Sequence, residues 1–352
     1  ARADVDRVND RGGTPLLKAC QRKSPDVIRL LLAARAEVDK ADYDERFPLL
    51  AACKHKHLDI VRLLLEARAD VAHEGGATAV FLACQTGQLE LLQLLLAAKA
   101  SCQRRNSSYE TPLLMASLGG HAEMVRLFLE HERENGPGDR STRARTLANS
   151  RSGHPSSPLT AACRDGLMAT VHVLLEYEAD PDLYSGLKET PLFVASRAGQ
   201  LGVTRLLLRL RVDVEKENRE GQGPLFVASQ AGHANLVQML LAARACVNKK
   251  DKSGSTALLM ASLNGHAKVV ELLLTAGADR KVANMRGSTP LLLAKKSCHK
   301  KVQRLLQHDD SDDERAKEAP ATAKSAAAVV QHPAVVDLTA SSSSAEDSQQ
   351  SQ

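Results

Sequence analysis

Apolar and polar positions recur along this chain with a fixed period. Nine times a Thr-Pro-Leu-like step is followed, three residues after the Leu, by Ala, with anchors at Thr14, Phe47, Thr78, Thr111, Ser157, Thr190, Gly223, Thr256 and Thr289. The anchors are separated by 33, 31, 33, 46, 33, 33, 33 and 33 residues. A period of this size marks stacked supersecondary units, none of which buries its apolar face alone.

The segment Asp251–Arg280 shows how one unit reads. Thr256 stands where a hydroxyl caps the free N–H groups of a first helix over Ala257–Asn264. Most repeats carry Pro at the next position, where a helix has no use for the missing N–H. Gly265-His266 breaks that helix, and a second one is expected over Lys268–Ala276. Its Val269, Val270, Leu272, Leu273 and Leu274 are too apolar all round for a free surface helix, so it needs neighbours on both sides. Gly277-Ala278-Asp279 ends it, and Lys252-Ser253-Gly254 or Met285-Arg286-Gly287 supplies the turn between units.

These residues closely resemble the ankyrin repeat. The resemblance covers residues 1–307. It implies an all-α solenoid of about nine helix–loop–helix plus β-turn units, with a partial repeat at 1–9, whose first helices and turn fingers form a concave binding face. Two departures are systematic. The family's His after Thr-Pro-Leu is here Leu17, Leu50, Phe81, Leu114, Thr160, Phe193, Phe226, Leu259 and Leu292, which exchanges a polar link for apolar packing. Gly277, at the end of the second helix, is matched by Arg35, Arg68, Lys99, Glu178, Arg211 and Arg244. A left-handed backbone there costs a non-Gly residue about 1 kcal/mol, which a cation partly recovers from the helix dipole.

The residues that tempt a chemical reading repeat with the fold. Cys20, Cys53, Cys84 and Cys163 share a first-helix position with Ser117, Ser196, Ser229 and Ser262, which marks a slot for a small side chain. His57, His121, His233 and His266 share the turn between the two helices. No nucleophile, base and orienting acid stand apart from the repeat, and no Gly-rich phosphate loop follows a strand. The reading is therefore non-enzymatic, with no cofactor and no metal.

The concave face carries the functional expectation. One first-helix series runs Lys18, Ala51, Leu82, Met115, Ala161, Val194, Val227, Met260 and Leu293; the series three residues on runs Gln21, Lys54, Gln85, Leu118, Arg164, Arg197, Gln230, Leu263 and Lys296. Positions i and i+3 share a helix stripe. Its expected partner-binding residues are Leu82, Met115, Leu118, Arg164, Val194, Arg197, Val227, Met260 and Leu263. Apolar residues with basic punctuation suit a peptide or protein partner with hydrophobic anchors and acidic residues.

The 46-residue spacing adds 13 residues between the fourth and fifth repeats. With Arg140, Arg143, Arg145 and Arg151 and no apolar periodicity, 131–156 reads as a disordered basic loop. Beyond Gln307 the composition changes to an acidic and Ser-rich tail, 308–352, disordered by composition. Within it Val335-Val336-Asp337-Leu338-Thr339, followed by Ser341–Ser344 and Glu346-Asp347, resembles a SUMO-interacting motif. The resemblance implies a strand added to the edge of SUMO's sheet.

Composition narrows the partner. The tail holds 9 acidic against 3 basic residues, and the repeats 44 Lys and Arg against 33 Asp and Glu. The repeats thus favour acidic partners, or the chain's own tail. Without Trp and with 3% aromatic residues, the chain lacks the stacking platforms of nucleic-acid binders. Seven cysteines with no C-x-x-C argue for a reducing compartment, and no apolar run approaches the ~20 residues that cross a bilayer. The expectation is an intracellular, cytoplasmic or nuclear, monomeric protein-binding scaffold that also recruits SUMO. The alternative is the substrate-targeting arm of a larger enzyme, a ubiquitin ligase or kinase, since Ala1-Arg2-Ala3-Asp4 reads as the interior of a repeat in a longer chain.

Overall fold

The computed structural model describes residues 4–71, 74–101, 105–106, 108–136, 139, 142–150 and 155–307, with backbone alone at 74–78. Among them the chain forms 19 helices and no strand. The first four repeats are α1 (Pro15–Gln21) with α2 (Pro25–Ala33), α3 (Pro48–Lys54) with α4 (Leu58–Glu66), α5 (Glu74–Thr86) with α6 (Leu89–Ala97), and α7 (Pro112–Leu118) with α8 (Ala122–Asn135). A single helix, α9 (Arg143–Ala148), follows. The remaining pairs are α10 (Pro158–Arg164) with α11 (Met168–Glu176), α12 (Pro191–Ala198) with α13 (Leu201–Arg209), α14 (Pro224–Ala231) with α15 (Ala234–Ala242), α16 (Ala257–Asn264) with α17 (Ala267–Thr275), and α18 (Pro290–Lys296) with α19 (Lys300–Gln307). First helices pack on first helices and second on second, so the array has two layers with one continuous core between them.

Local chemistry accounts for each unit. Thr14, Thr111, Thr190, Thr256 and Thr289 accept the N3 amide of the helix that they cap. Such a cap is worth about 1 kcal/mol. Ser157 does the same, and Thr160 returns a hydroxyl to the Ser157 amide at 2.7 Å. Thr160 therefore keeps a polar link at the position that Leu17, Leu114, Phe193, Phe226 and Leu259 fill as buried apolar residues. The second helices end on the left-handed residues Arg35, Arg68, Lys99, Glu178, Arg211, Arg244 and Gly277.

Six of the turn fingers are each pinned by one side chain. Asn9, Asp42, Asn106, Asn218, Asp251 and Asn284 accept the amides two and four residues on. Neighbouring fingers also join by backbone bonds, Tyr43 to Arg11, Lys252 to Glu220 and Met285 to Ser253. Asp42 is buried, which raises its pKa, but the backbone and guanidinium hydrogen bonds of Arg46 outweigh burial and hold the carboxyl below its ordinary value.

Two sequence expectations are corrected. The third first helix does not begin after its anchor, Thr78. That helix starts at Glu74, a turn earlier, because the 31-residue spacing and the absence of Pro after Thr78 let the helix take up the finger. The expected disordered loop at 131–156 is largely helical where described. α8 runs on to Asn135, and α9 buries Ala144, Leu147 and Ala148. The insertion ends at Asn149, which sits in register with Asp6, Asp39, Asp182 and Asn248. Each of these accepts the amide 31 residues on, at 2.7 Å for Asn149 to Asp180. Across the same junction Arg126 of α8 grips Glu176 of α11 with bonds of 2.9 and 2.8 Å.

Candidate interaction surface

The small-residue slot is confirmed as packing. Cys20, Cys53, Cys84 and Cys163 are buried, and burial pushes the Cys20 and Cys53 thiols up to about 12. Thiols so far from ionisation are poor nucleophiles and metal ligands, and no group of His, Cys, Asp or Glu among the described residues is placed to hold a metal. Ser196, Ser229 and Ser262 lie fully buried in the same slot with no hydrogen-bond partner.

The histidines tie repeats together. His233 and His266 contact the carbonyl oxygens of Arg197 and Gln230, in the preceding first helix, at 3.3 and 3.0 Å. His299, which breaks the sequence pattern of the last repeat, does the same to Leu263 at 3.0 Å. These rings press on the left-handed glycines Gly199, Gly232 and Gly265, where a Cβ would come within 2.8 Å. Gln200 replaces His with an Nε2–H donated to Arg164 at 3.1 Å. Nearer the N-terminus His57 reaches Cys20 through Nδ1 at 3.2 Å.

The stripe divides into three kinds of position. Val194 and Val227 are 4% and 2% exposed, so they belong to the core and are withdrawn as binding residues. Their branched side chains end inside the groove between adjacent first helices, as Ala51 and Ala161 also do. Leu82, Met115 and Met260 rest on the core while staying partly exposed, because a longer side chain extends past that groove. Leu118 and Leu263, partly exposed at equivalent positions of α7 and α16, are not among the apolar residues packed on the core.

The two cations of the stripe are already engaged. Arg164 pairs with Asp165 at 3.1 Å. Arg197 pairs with Glu189, whose side chain is 11% exposed, and lies 5.5 Å over the Phe193 ring. Any acidic partner must compete with these carboxylates.

Sequence reasoning missed the finger tips. Tyr43 and Met285 are 75% and 79% exposed, and Tyr109 and Leu187 project likewise. Large apolar residues in a turn that needs none were the available signal. It also missed the exposed cluster Arg22, Lys23, Lys54, His55 and Lys56 at the ends of α1 and α3, legible as a break in the Gly of the turn.

Val335–Thr339 lie outside the described residues. No helix among the described residues is long and apolar enough to cross a membrane. A family model described as Ankyrin repeats (3 copies) matches residues 1–74, 67–140, 159–251, 192–284 and 225–318. The matches stop at 140 and resume at 159, bracketing α9. No curated protein matches the chain.

Proposed function

Since the chain belongs to the ankyrin repeat family, whose repeats generally mediate protein–protein interaction, we propose that it is a non-catalytic scaffold capturing a peptide or protein on the face formed by its first helices and fingers. The observation that carries this is the pair Leu118 and Leu263. Each is an aliphatic side chain left partly exposed at a position where Gln21, Gln85 and Gln230 would satisfy the fold equally well. Met115, Met260 and Leu82 extend the apolar area, and Tyr43, Tyr109 and Met285 stand exposed on the finger tips. Apolar surface that the fold does not require is the usual material of a protein interface.

The test is substitution without unfolding. Leu118→Asp and Leu263→Asp are expected to leave circular dichroism and melting temperature nearly unchanged while removing the proteins that the full chain captures. Unchanged capture by the folded double variant would overturn the reading.

The tail adds a second contact on sequence grounds. Val335, Val336 and Leu338 would fill a groove beside an edge strand of SUMO, with Asp337 and Thr339 between and beyond them, and Ser341–Ser344 with Glu346-Asp347 would face basic residues. A nuclear location would follow from that activity. Titration of labelled SUMO with a peptide spanning Gln331 to Asp347 checks it, and the triple Ala variant at Val335, Val336 and Leu338 should abolish the shifts.

A further inference from the structure

The concave edge changes character along its length. In repeats 1 and 2 the first helices run out into Arg22-Lys23 and Lys54-His55-Lys56, all exposed. None of the four Lys and Arg side chains has an ion-pair partner among the described residues; the neighbouring Asp26 is taken by Arg29 at 2.9 Å. Lys54 occupies the register of Leu118, so this charge lies on the same edge as the apolar stripe. In repeats 3 and 4 that edge presents Leu82, Met115 and Leu118. In repeats 5 and 6 its cations are neutralised by Asp165 and Glu189. Free positive charge on this stretch is therefore confined to repeats 1 and 2 and borders an apolar section.

The backbone points to the same place. Lys23 and Lys56 hold left-handed conformations, φ 53° and 59°, at the position where six later repeats have glycine. A helix C-terminus favours one cation. It does not call for lysine at a position that glycine occupies with less strain.

We infer that repeats 1–4 bind an extended segment of another protein in which an acidic group is followed or preceded by apolar anchors. The acidic residues meet Arg22, Lys23, Lys54 and Lys56, and the anchors lie over Leu82, Met115 and Leu118. This deepens the concave-capture reading and rests on it. Lys54 and Leu118 stand two repeats apart, roughly 20 Å for helices packed at 8–10 Å, which an extended chain spans in about six residues. The acidic group and the anchors are thus about six residues apart.

The experiment uses the full chain and fluorescein-labelled peptides in which a run of glutamates and a pair of leucines are joined by a Gly-Ser linker of about six or about two residues. Anisotropy is expected to show the longer linker binding about tenfold tighter, and Lys54→Glu with Lys56→Glu, at unchanged helicity, losing about tenfold and flattening the salt dependence. Leu118→Asp should lose as much. If charge reversal has no effect while Leu118→Asp abolishes binding, the basic subsite is wrong and concave capture stands. If Leu118→Asp also binds like the parent, concave capture falls with it. Equal affinity for the two linkers, no binding of either peptide, or tighter binding of a single-stranded DNA oligonucleotide would each overturn the inference.

Discussion

Residues 157–307 and residues 14–136 are built from the same unit but held together differently. In the C-terminal block the period never leaves 33, and every junction carries a polar tie from Gln200, His233, His266 or His299 to the preceding first helix. In the N-terminal block His57 makes such a tie, whereas Gln88 turns to Thr86 and His121 makes none among the described residues. At the junction Leu167 offers only an apolar contact with Gly120. A tie of this kind is worth about 0.5–1.5 kcal/mol. Apolar packing carries the N-terminal block, and that packing leaves its turn positions open to residues such as Lys23 and Lys56. Regularity thus goes with polar ties between repeats and irregularity with free surface chemistry.

The largest effect should come from equivalent core leucines. Leu64→Ala and Leu207→Ala each empty a fully buried site and should cost about 2–5 kcal/mol. If the blocks are separately coupled, hydrogen exchange in the Leu64 variant should rise across 14–136 and leave 190–307 protected. A uniform rise along the chain would break the comparison.

One turn position should respond with opposite sign in the two blocks. Gly232→Ala puts a Cβ 2.6 Å from the His266 ring on a left-handed backbone, and should cost more than about 1 kcal/mol in thermal unfolding. Lys56→Gly, at the equivalent position, should stabilise by up to about 1 kcal/mol. Asn149→Ala tests the seam between the blocks. Losing its bonds to Asp180 and Glu178 should cost about 1 kcal/mol and raise exchange at Asp180.

The smallest effect concerns Asp42. Its folded pKa is depressed, so its stabilising contribution is present above the unfolded value near pH 4 and is lost as pH falls through the lowered folded value. Asp42→Asn keeps an acceptor for the Asp44 and Arg46 amides, as Asn9 and Asn218 do, and should cost under about 1 kcal/mol at neutral pH while flattening that part of the acid limb.

The helix over Ala257–Asn264 could be read directly because its cap, breaker and period agree. The left-handed arginines were legible only through alignment with Gly277, since nothing local in Arg35 or Arg211 announces a positive φ. The stripe was half legible. Period places Val194 and Met260 on the same line, but exposure depends on how far each side chain reaches beyond the groove between its neighbours, which is a tertiary property. α9 was missed because Ala144, Leu147 and Ala148 are a small apolar set among arginines, and a six-residue helix gains its stability from docking, not from its own sequence.

The fingers carry a consequence for descent. In six described loops one Asx side chain and one left-handed residue hold the turn. Neighbouring loops are joined by backbone bonds at Tyr43, Lys252 and Met285 and by the Arg219 guanidinium donating to the Gly186 carbonyl oxygen. Tip residues whose side chains make no such bond are then nearly neutral with respect to folding, so mutation can rewrite them without first finding a compensating change. A lineage of such chains can drift through many tip sequences at constant stability, and new partners can be recruited from that drift. Tyr43 and Met285, 75% and 79% exposed, stand at tips of this kind.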